Sequence, residues 1–300
     1  MSLRAKLLSR VMRRVAKPRW DASSKKTATE LRAGLESTTR HSPRPPRFVR
    51  IQPADAGGVR AEWVSVPRSR SDWVLLYLHG GSYISGSPRT HRNLTWRMAE
   101  AAEARALVID YRLAPEHPYP AGVEDVLKAY RWLLQQGSPR VAWCGDSAGG
   151  GLLFSALRAA RAAGLPMPRA AVALSPWTDL AGAGPSWTEN AERDPWLTTS
   201  SLHRASVQYC GELSPRDPGP SSAYADFDAP PPTLIHVGDT EILRDDAHAV
   251  AARLRAAGGD VELKEWKDVP HVWHMFAPFL PESGAAIAEA GVFLRSRLGA

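Results

Sequence analysis

Ser147 stands with a glycine two residues before it and another two after, in Gly145-Asp146-Ser147-Ala148-Gly149-Gly150, directly after the apolar run Val141-Ala142-Trp143-Cys144. A serine hydroxyl raised on a sharp strand-to-helix turn can serve as a nucleophile for acyl transfer. Such a turn needs small residues at those two positions, because its strained backbone packs against neighbours that leave no room for a Cβ. Residues 152–161 read as a helix, so the serine would sit at a helix N-terminus, where backbone N–H groups favour developing negative charge. The same run also fits an ordinary Gly/Ser turn. Its chemistry therefore depends on partners elsewhere in the chain.

Acyl transfer needs donors for the oxyanion, a base, and an acid behind the base. Residues 73–78 read as a buried strand and lead directly into His79-Gly80-Gly81-Ser82-Tyr83. The two glycines let backbone N–H groups turn toward a ligand, so Gly80 and Gly81 are expected as oxyanion donors together with Ala148, each such donor being worth roughly 3 kcal/mol. Of the nine histidines, His271 in Val269-Pro270-His271-Val272-Trp273 lies in the loop between the last strand and the last helix, after the serine as the order of such triads requires. His274 is the rival, but Trp273-His274-Met275-Phe276 reads as a packed segment. His79 reads as ordering its own loop, and His236 and His248 as strand and helix residues. For the acid, Gly238-Asp239-Thr240-Glu241-Ile242-Leu243-Arg244-Asp245-Asp246 offers four carboxylates. Asp245 and Asp246 read as first-turn acids complementing a helix dipole, which leaves Asp239 and Glu241.

Around these residues strand-like and helix-like segments alternate. Residues 59–66, 73–78, 106–109, 141–144, 170–174, 233–237 and 261–266 read as strands, and 94–104, 123–134, 152–161, 245–257 and 285–297 as helices. This order predicts a mostly parallel sheet covered by helices on both faces. The alternation breaks at residues 177–231, rich in Pro, Asp, Trp and Ser, with one helical stretch near 200–209. An insertion of that length in an open α/β sheet is expected over the carboxyl ends of the strands, where ligands bind.

Four motifs occur together and in order: His79-Gly80-Gly81-Ser82-Tyr83, Asp110-Tyr111-Arg112-Leu113-Ala114-Pro115-Glu116, Pro120-Ala121-Gly122-Val123-Glu124-Asp125 and Gly145-Asp146-Ser147-Ala148-Gly149-Gly150. In these the chain resembles the hormone-sensitive-lipase-like family of α/β-hydrolases, bacterial carboxylesterases included, over roughly residues 60–297. The resemblance implies an α/β-hydrolase fold with a mostly parallel eight-stranded sheet and a helical cap. Residues 1–50 would be a basic N-terminal cap segment, and residues 51–300 the hydrolase domain with its cap insertion at 177–231. It implies Ser147 as nucleophile and His271 as base. The family's acid, thirty residues before the histidine and followed by an apolar residue, leucine and a charged pair, falls on Glu241 rather than Asp239. The family more often carries aspartate there, and it usually has a third glycine where this chain has Ser82. An Arg112 ion pair to a helix carboxylate such as Asp125 would hold the loop beside the serine.

The expected activity is a serine carboxylesterase acting on short to medium acyl esters through an acyl-enzyme, with no metal or organic cofactor. Trp177, Trp187 and Trp196 are candidates for an apolar pocket lining or for cap core. A deacetylase or lactone hydrolase of a specialised metabolite is the alternative, and a receptor on the same scaffold, lacking catalysis, is disfavoured because Ser147, Glu241 and His271 are all present.

The 300 residues, 44% of them hydrophobic, suit one large α/β domain. Residues 1–50 carry fourteen Lys and Arg against three acids, so of the net charge of +7 the remainder holds about −4. That distribution, without a recognition helix, zinc knuckle or aromatic platform, excludes nucleic acid as the expected partner. In residues 1–17, Leu7, Leu8, Val11, Met12 and Val15 fall at helical spacing among arginines. A helix docked on the protein's own apolar surface is favoured over one lying on a membrane. Arginines interrupt every apolar run before a secretory signal or membrane span is reached. Two cysteines, Cys144 and Cys210, in neither metal nor redox spacing point to a reducing, cytoplasmic setting. The closing strand and helix could present a homodimer edge.

Overall fold

The computed structural model describes residues 2–23, 26–40, 42–137 and 140–300. His41, first residue of the Pro- and Arg-rich connector, lies outside them. Two helices, α1 (Leu3–Ser23) and α2 (Ala28–Thr38), precede the sheet. The strands are β1 (Arg50–Asp55), β2 (Arg60–Ser65), β3 (Arg70–Leu78), β4 (Ala104–Ile109), β5 (Arg140–Asp146), β6 (Ala171–Leu174), β7 (Thr233–Gly238) and β8 (Val261–Trp266). Between and after them lie α3 (Pro88–Ala102), α4 (Ala121–Gln135), α5 (Ala148–Ala162), α6 (Ser186–Glu189), α7 (Thr199–Cys210), α8 (Arg244–Ala256) and α9 (Pro281–Leu298). Among the described residues the sheet has eight strands in the order β1-β2-β4-β3-β5-β6-β7-β8. It is parallel from β4 to β8, with β2 antiparallel to β1 and β4.

The apolar run Trp73-Val74-Leu75-Leu76-Tyr77-Leu78 explains the layering. Successive side chains of a strand point to opposite faces. Val74, Leu76 and Leu78 join a core with α4, α5 and α8, whereas Trp73, Leu75 and Tyr77 join one with α3 and α9. Each fully buried leucine contributes about 1.5–3 kcal/mol, so this nine-residue strand is held from both sides. The edges are polar by contrast. Strand β8 carries Glu262, Lys264 and Glu265, and β1 accommodates Pro53, which only an edge or bulge tolerates.

Strand β1 and helix α2 are additions to the sequence reading. Helix α2 begins at a capping box in which Thr27 accepts from the Glu30 N–H and the Glu30 carboxylate accepts from Thr27. Its Arg32 donates to the carbonyls of Ile84 (2.9 Å) and Ala114 (2.8 Å) and to Glu116, which fastens α2 over the loops that follow β3 and β4. Helix α1 continues through Pro18 to Ser23. It docks by Ala5, Leu8 and Met12, with Ala5 and Leu8 against Trp273 and Leu280. Lys17 donates to the Asp194 carbonyl at 3.1 Å and Arg13 to that of Arg193 at 2.9 Å, tying α1 to residues 177–231. Among the described residues no helix is long and apolar enough to cross a membrane.

Residues 177–231 are fastened to α8 by Asp246. Its buried carboxylate accepts from the N–H groups of Thr178 (3.0 Å) and Asp179 (2.8 Å) and from Trp187 Nε1 (3.0 Å). Asp245 and Asp246 do stand in the first turn of α8, but Asp246 is primarily a tie between layers. The Arg112–Asp125 pair is present at 2.8 Å, with the Arg112 N–H also donating to Asp125.

Candidate active site

Strand β5 ends at Asp146 and α5 starts at Ala148, so Ser147 alone makes the turn, at φ 53° and ψ −123°. This region is strained for a side-chain-bearing residue and persists only when the surroundings enforce it. They do so here through backbone bonds. The Ser147 N–H donates to the Leu174 carbonyl at 2.8 Å, and the Ser147 carbonyl accepts from Trp177 at 3.0 Å and Gly151 at 3.1 Å. The flanking glycines are obligatory: a Cβ at Gly145 would overlap the Gly149 carbonyl, and one at Gly149 the Leu78 carbonyl.

The ends of β7 and β8 bring the partners. His271 Nε2 lies 2.9 Å from Ser147 Oγ, and His271 Nδ1 lies 2.6 Å from Glu241 Oε2. A carboxylate only accepts, so Nδ1 carries the proton and Nε2 is free to accept from the serine. The other oxygen, Glu241 Oε1, accepts from Ser175 Oγ at 2.7 Å and from the Gly238 N–H at 2.6 Å. Ser175 Oγ in turn accepts from the Val272 N–H at 3.1 Å, so one hydroxyl fixes both the acid and the histidine loop. Burial drags the His271 pKa down. The hydrogen bond and charge of Glu241, then the charges of Asp194 and Asp146, outweigh it, and the net shift is upward from 6.5.

The rivals are engaged elsewhere. Asp239 accepts from the Asp268 N–H at 2.6 Å and pairs with Arg193 at 3.6 Å. His274 lies buried, 3.1 Å from His236 Nδ1 through its Nε2. His248 pairs with Glu265 on the surface.

Above the serine, the loop after β3 corrects one expectation. The Gly80 N–H, expected as an oxyanion donor, is directed at Asp146 Oδ1 at 3.2 Å, because the carboxylate reaches up under the loop from the residue before the nucleophile. The N–H groups of Gly81, Ser82 and Ala148 have no acceptor among the described residues. Gly81 has φ 125° and Ser82 φ 57°, so Ser82 takes the left-handed conformation that glycine would adopt without strain. The Asp146 carboxylate also accepts from Tyr77 Oη at 2.7 Å and lies 3.3 Å from His91 Nε2. Next to it, burial first and then His91 hold the His79 pKa down to about 3, against the raising effect of the Gly80 carbonyl that its Nδ1 faces and of Asp146.

A cavity of about 420 Å³ opens between α1 and α2, lined by Val11, Val15, Leu31, Leu35, Ile84, Ser82 and Trp196 among others. The Trp196 ring stands edge-on to His271 with centroids 6.0 Å apart, so one wall of the cavity packs against the histidine, and Ser82 in the same lining follows the Gly80-Gly81 pair. Trp177 and Trp187 are buried in the core beneath. Of the three tryptophans only Trp196 lines the cavity.

Sequence reasoning missed Asp146, Ser175 and Asp194. The buried Asp194 carboxylate accepts from the N–H groups of Trp196, Leu197 and Ile242 at 2.9, 2.9 and 3.0 Å, joining the cavity wall to the acid loop. Asp146 could have been noticed as the middle residue of Gly-x-Ser, and Ser175 as the first residue after a strand end. Nothing local marks Asp194.

Residues 75–275 match a family described as alpha/beta hydrolase fold. The chain is 47% identical over 254 residues to an acetyl-hydrolase of Streptomyces hygroscopicus, covering 83% of this chain and 85% of that protein. It is 33% identical to an esterase of Acinetobacter venetianus, over 89% of this chain and 88% of the other. The crystal structure of an esterase from the bacterial hormone-sensitive lipase family superposes with a TM-score of 0.93 at 44% identity, covering 100% of this chain and 99% of that one. With the predicted architecture present and its relatives an acetyl-hydrolase and esterases, the chain belongs to the hormone-sensitive-lipase-like family of α/β-hydrolases and is a carboxylic ester hydrolase.

Proposed function

We propose that the protein is a serine carboxylesterase in which Ser147 is the nucleophile, His271 the base and Glu241 the acid that orients it. The observation that carries this reading is the continuous chain from Glu241 Oε2 through both His271 nitrogens to Ser147 Oγ, at 2.6 and 2.9 Å. His271 takes the serine proton as Ser147 Oγ attacks the ester carbonyl, and the N–H groups of Gly81, Ser82 and Ala148 receive the oxyanion. The imidazolium protonates the departing alcohol. Water activated by the same nitrogen then releases the acid from the acyl-enzyme.

Helices α1 and α2 with residues 177–231 form the cap, and the cavity of about 420 Å³ beneath it suits short to medium acyl groups. Similarity to an acetyl-hydrolase favours acetyl esters within that range. The buried, unbridged Cys144 and Cys210 support a cytoplasmic setting. The test is a series of p-nitrophenyl esters of increasing acyl length with wild type and Ser147→Ala. Turnover is expected to be highest for short chains and to vanish in the variant; wild-type turnover by Ser147→Ala would sink the proposal.

A further inference from the structure

Helix α1 presents two apolar faces, and the body of the protein covers only one. Beside the docked Ala5, Leu8 and Met12, about a third of a turn around the helix on average, run Leu3, Leu7, Val11 and Val15, exposed by 84, 61, 49 and 44%. Four-residue steps advance only about 40° around a helix, so these side chains form one stripe. From Leu3 to Trp20 the helix holds seven arginines and lysines and no acid. Arg10 and Arg14 lie three residues after Leu7 and Val11 and therefore flank the stripe. At the N-terminal end, Arg4 donates to the carbonyl of Phe279, a residue 65% exposed. Val11 and Val15 belong both to the stripe and to the lining of the cavity that reaches Trp196.

We propose that this face of α1 docks on an anionic lipid surface, seating the mouth of the cavity against the acyl region so that lipophilic esters pass between α1 and α2 without crossing water. The charge pattern selects the partner. Insertion of an apolar stripe flanked by cations is favoured at anionic headgroups, each Lys or Arg near such a surface adding about 1 kcal/mol. A second copy pairing by the same face would instead bring two acid-free rows of arginine together. The surface adds to the esterase reading and does not depend on it, because docking is measured without hydrolysis.

The test is co-sedimentation of the full chain with vesicles of phosphatidylcholine alone and of phosphatidylcholine with phosphatidylglycerol. Wild type and Ser147→Ala are expected to pellet alike with the anionic vesicles, weakly with the neutral ones, and less as salt is raised. The double variant Arg10→Glu/Arg14→Glu is expected to lower the partition coefficient by about thirtyfold or more, and Leu3→Ser/Leu7→Ser by about tenfold. Both should hydrolyse p-nitrophenyl acetate in solution at the wild-type rate, which also shows that they fold. Equal pelleting of wild type and Arg10→Glu/Arg14→Glu would overturn the proposal. So would a wild type that stays in the supernatant, or a concentration-dependent dimer in sedimentation velocity that Leu3→Ser/Leu7→Ser abolishes.

Discussion

Replacing Glu241 by glutamine changes one atom and is expected to reverse the histidine. Glu241 Oε1 accepts two donors, Ser175 Oγ and the Gly238 N–H, so the glutamine oxygen must stay there and its NH2 must face His271 Nδ1. Nδ1 then has to accept, the ring proton moves to Nε2, and Nε2 can no longer take the proton of Ser147. In a serine protease the same aspartate-to-asparagine change lowers kcat about 10⁴-fold by this tautomer reversal, equivalent to about 5.4 kcal/mol of transition-state stabilisation. A loss of 10³- to 10⁴-fold in kcat, with KM nearly unchanged, is the expectation for Glu241→Gln. Asp239→Asn, at a carboxylate bound to the Asp268 N–H and Arg193, should stay within about tenfold of wild type. The assay is steady-state hydrolysis of p-nitrophenyl acetate, with circular dichroism to show that both variants are folded. A Glu241→Gln enzyme within tenfold of wild type, or Asp239→Asn as the more damaging change, would refute the assignment.

The other expectations use the same site and its supports. Because the net shift of His271 is upward and the base must be neutral, the acidic limb of kcat/KM should have its midpoint above 6.5, and a midpoint below 6.5 would contradict the Glu241–His271 coupling. His79, held at about 3, and His274, held well below 6.5 chiefly by burial, stay neutral in the native state while the unfolded chain protonates near 6.5. Stability in urea melts should therefore fall by up to about 1.4 kcal/mol per histidine for each pH unit below 6.5, and a flat profile would speak against their burial. Gly149→Ala should abolish soluble folded protein or cost more than about 3 kcal/mol, since its Cβ would meet the Leu78 carbonyl; a near-native melting temperature would disprove that packing. Ser82→Gly should keep activity and raise stability by up to about 1 kcal/mol by relieving the φ of 57°, a gain that thermal melts would miss if Ser82 were not left-handed.

Most of the fold was legible because buried parallel strands and their covering helices write their periods directly into the chain. Strand β8 falls on the expected residues 261–266, and Val74 through Leu78 is apolar throughout because both faces of β3 are covered. Strand β1 escaped notice because at an exposed edge its six residues need no apolar alternation and even admit Pro53. Helix α2 carried a readable capping box at Thr27 and Glu30 but little apolar period, since much of its hold comes from Arg32 reaching backbone carbonyls far along the chain.

The site divides along the same line. The proposed nucleophile and base, Ser147 and His271, were legible from residue type, chain order and motif, because a strand-to-helix serine turn needs its glycines and strand ends in a parallel sheet deliver loops to one edge. The proposed acid, Glu241, was separable from Asp239 only through the family resemblance. Tertiary structure alone decided that Gly80 spends its N–H on Asp146, leaving Gly81 and Ser82 open, and that Ser175 links the acid to the histidine loop. It also decided which face of α1 is buried and which is left to solvent. The physical reason is that residue type and local period are properties of a segment. Which acceptor a backbone N–H meets, and which of two apolar faces is covered, depends on groups tens to hundreds of residues away that only the folded sheet brings within hydrogen-bond reach.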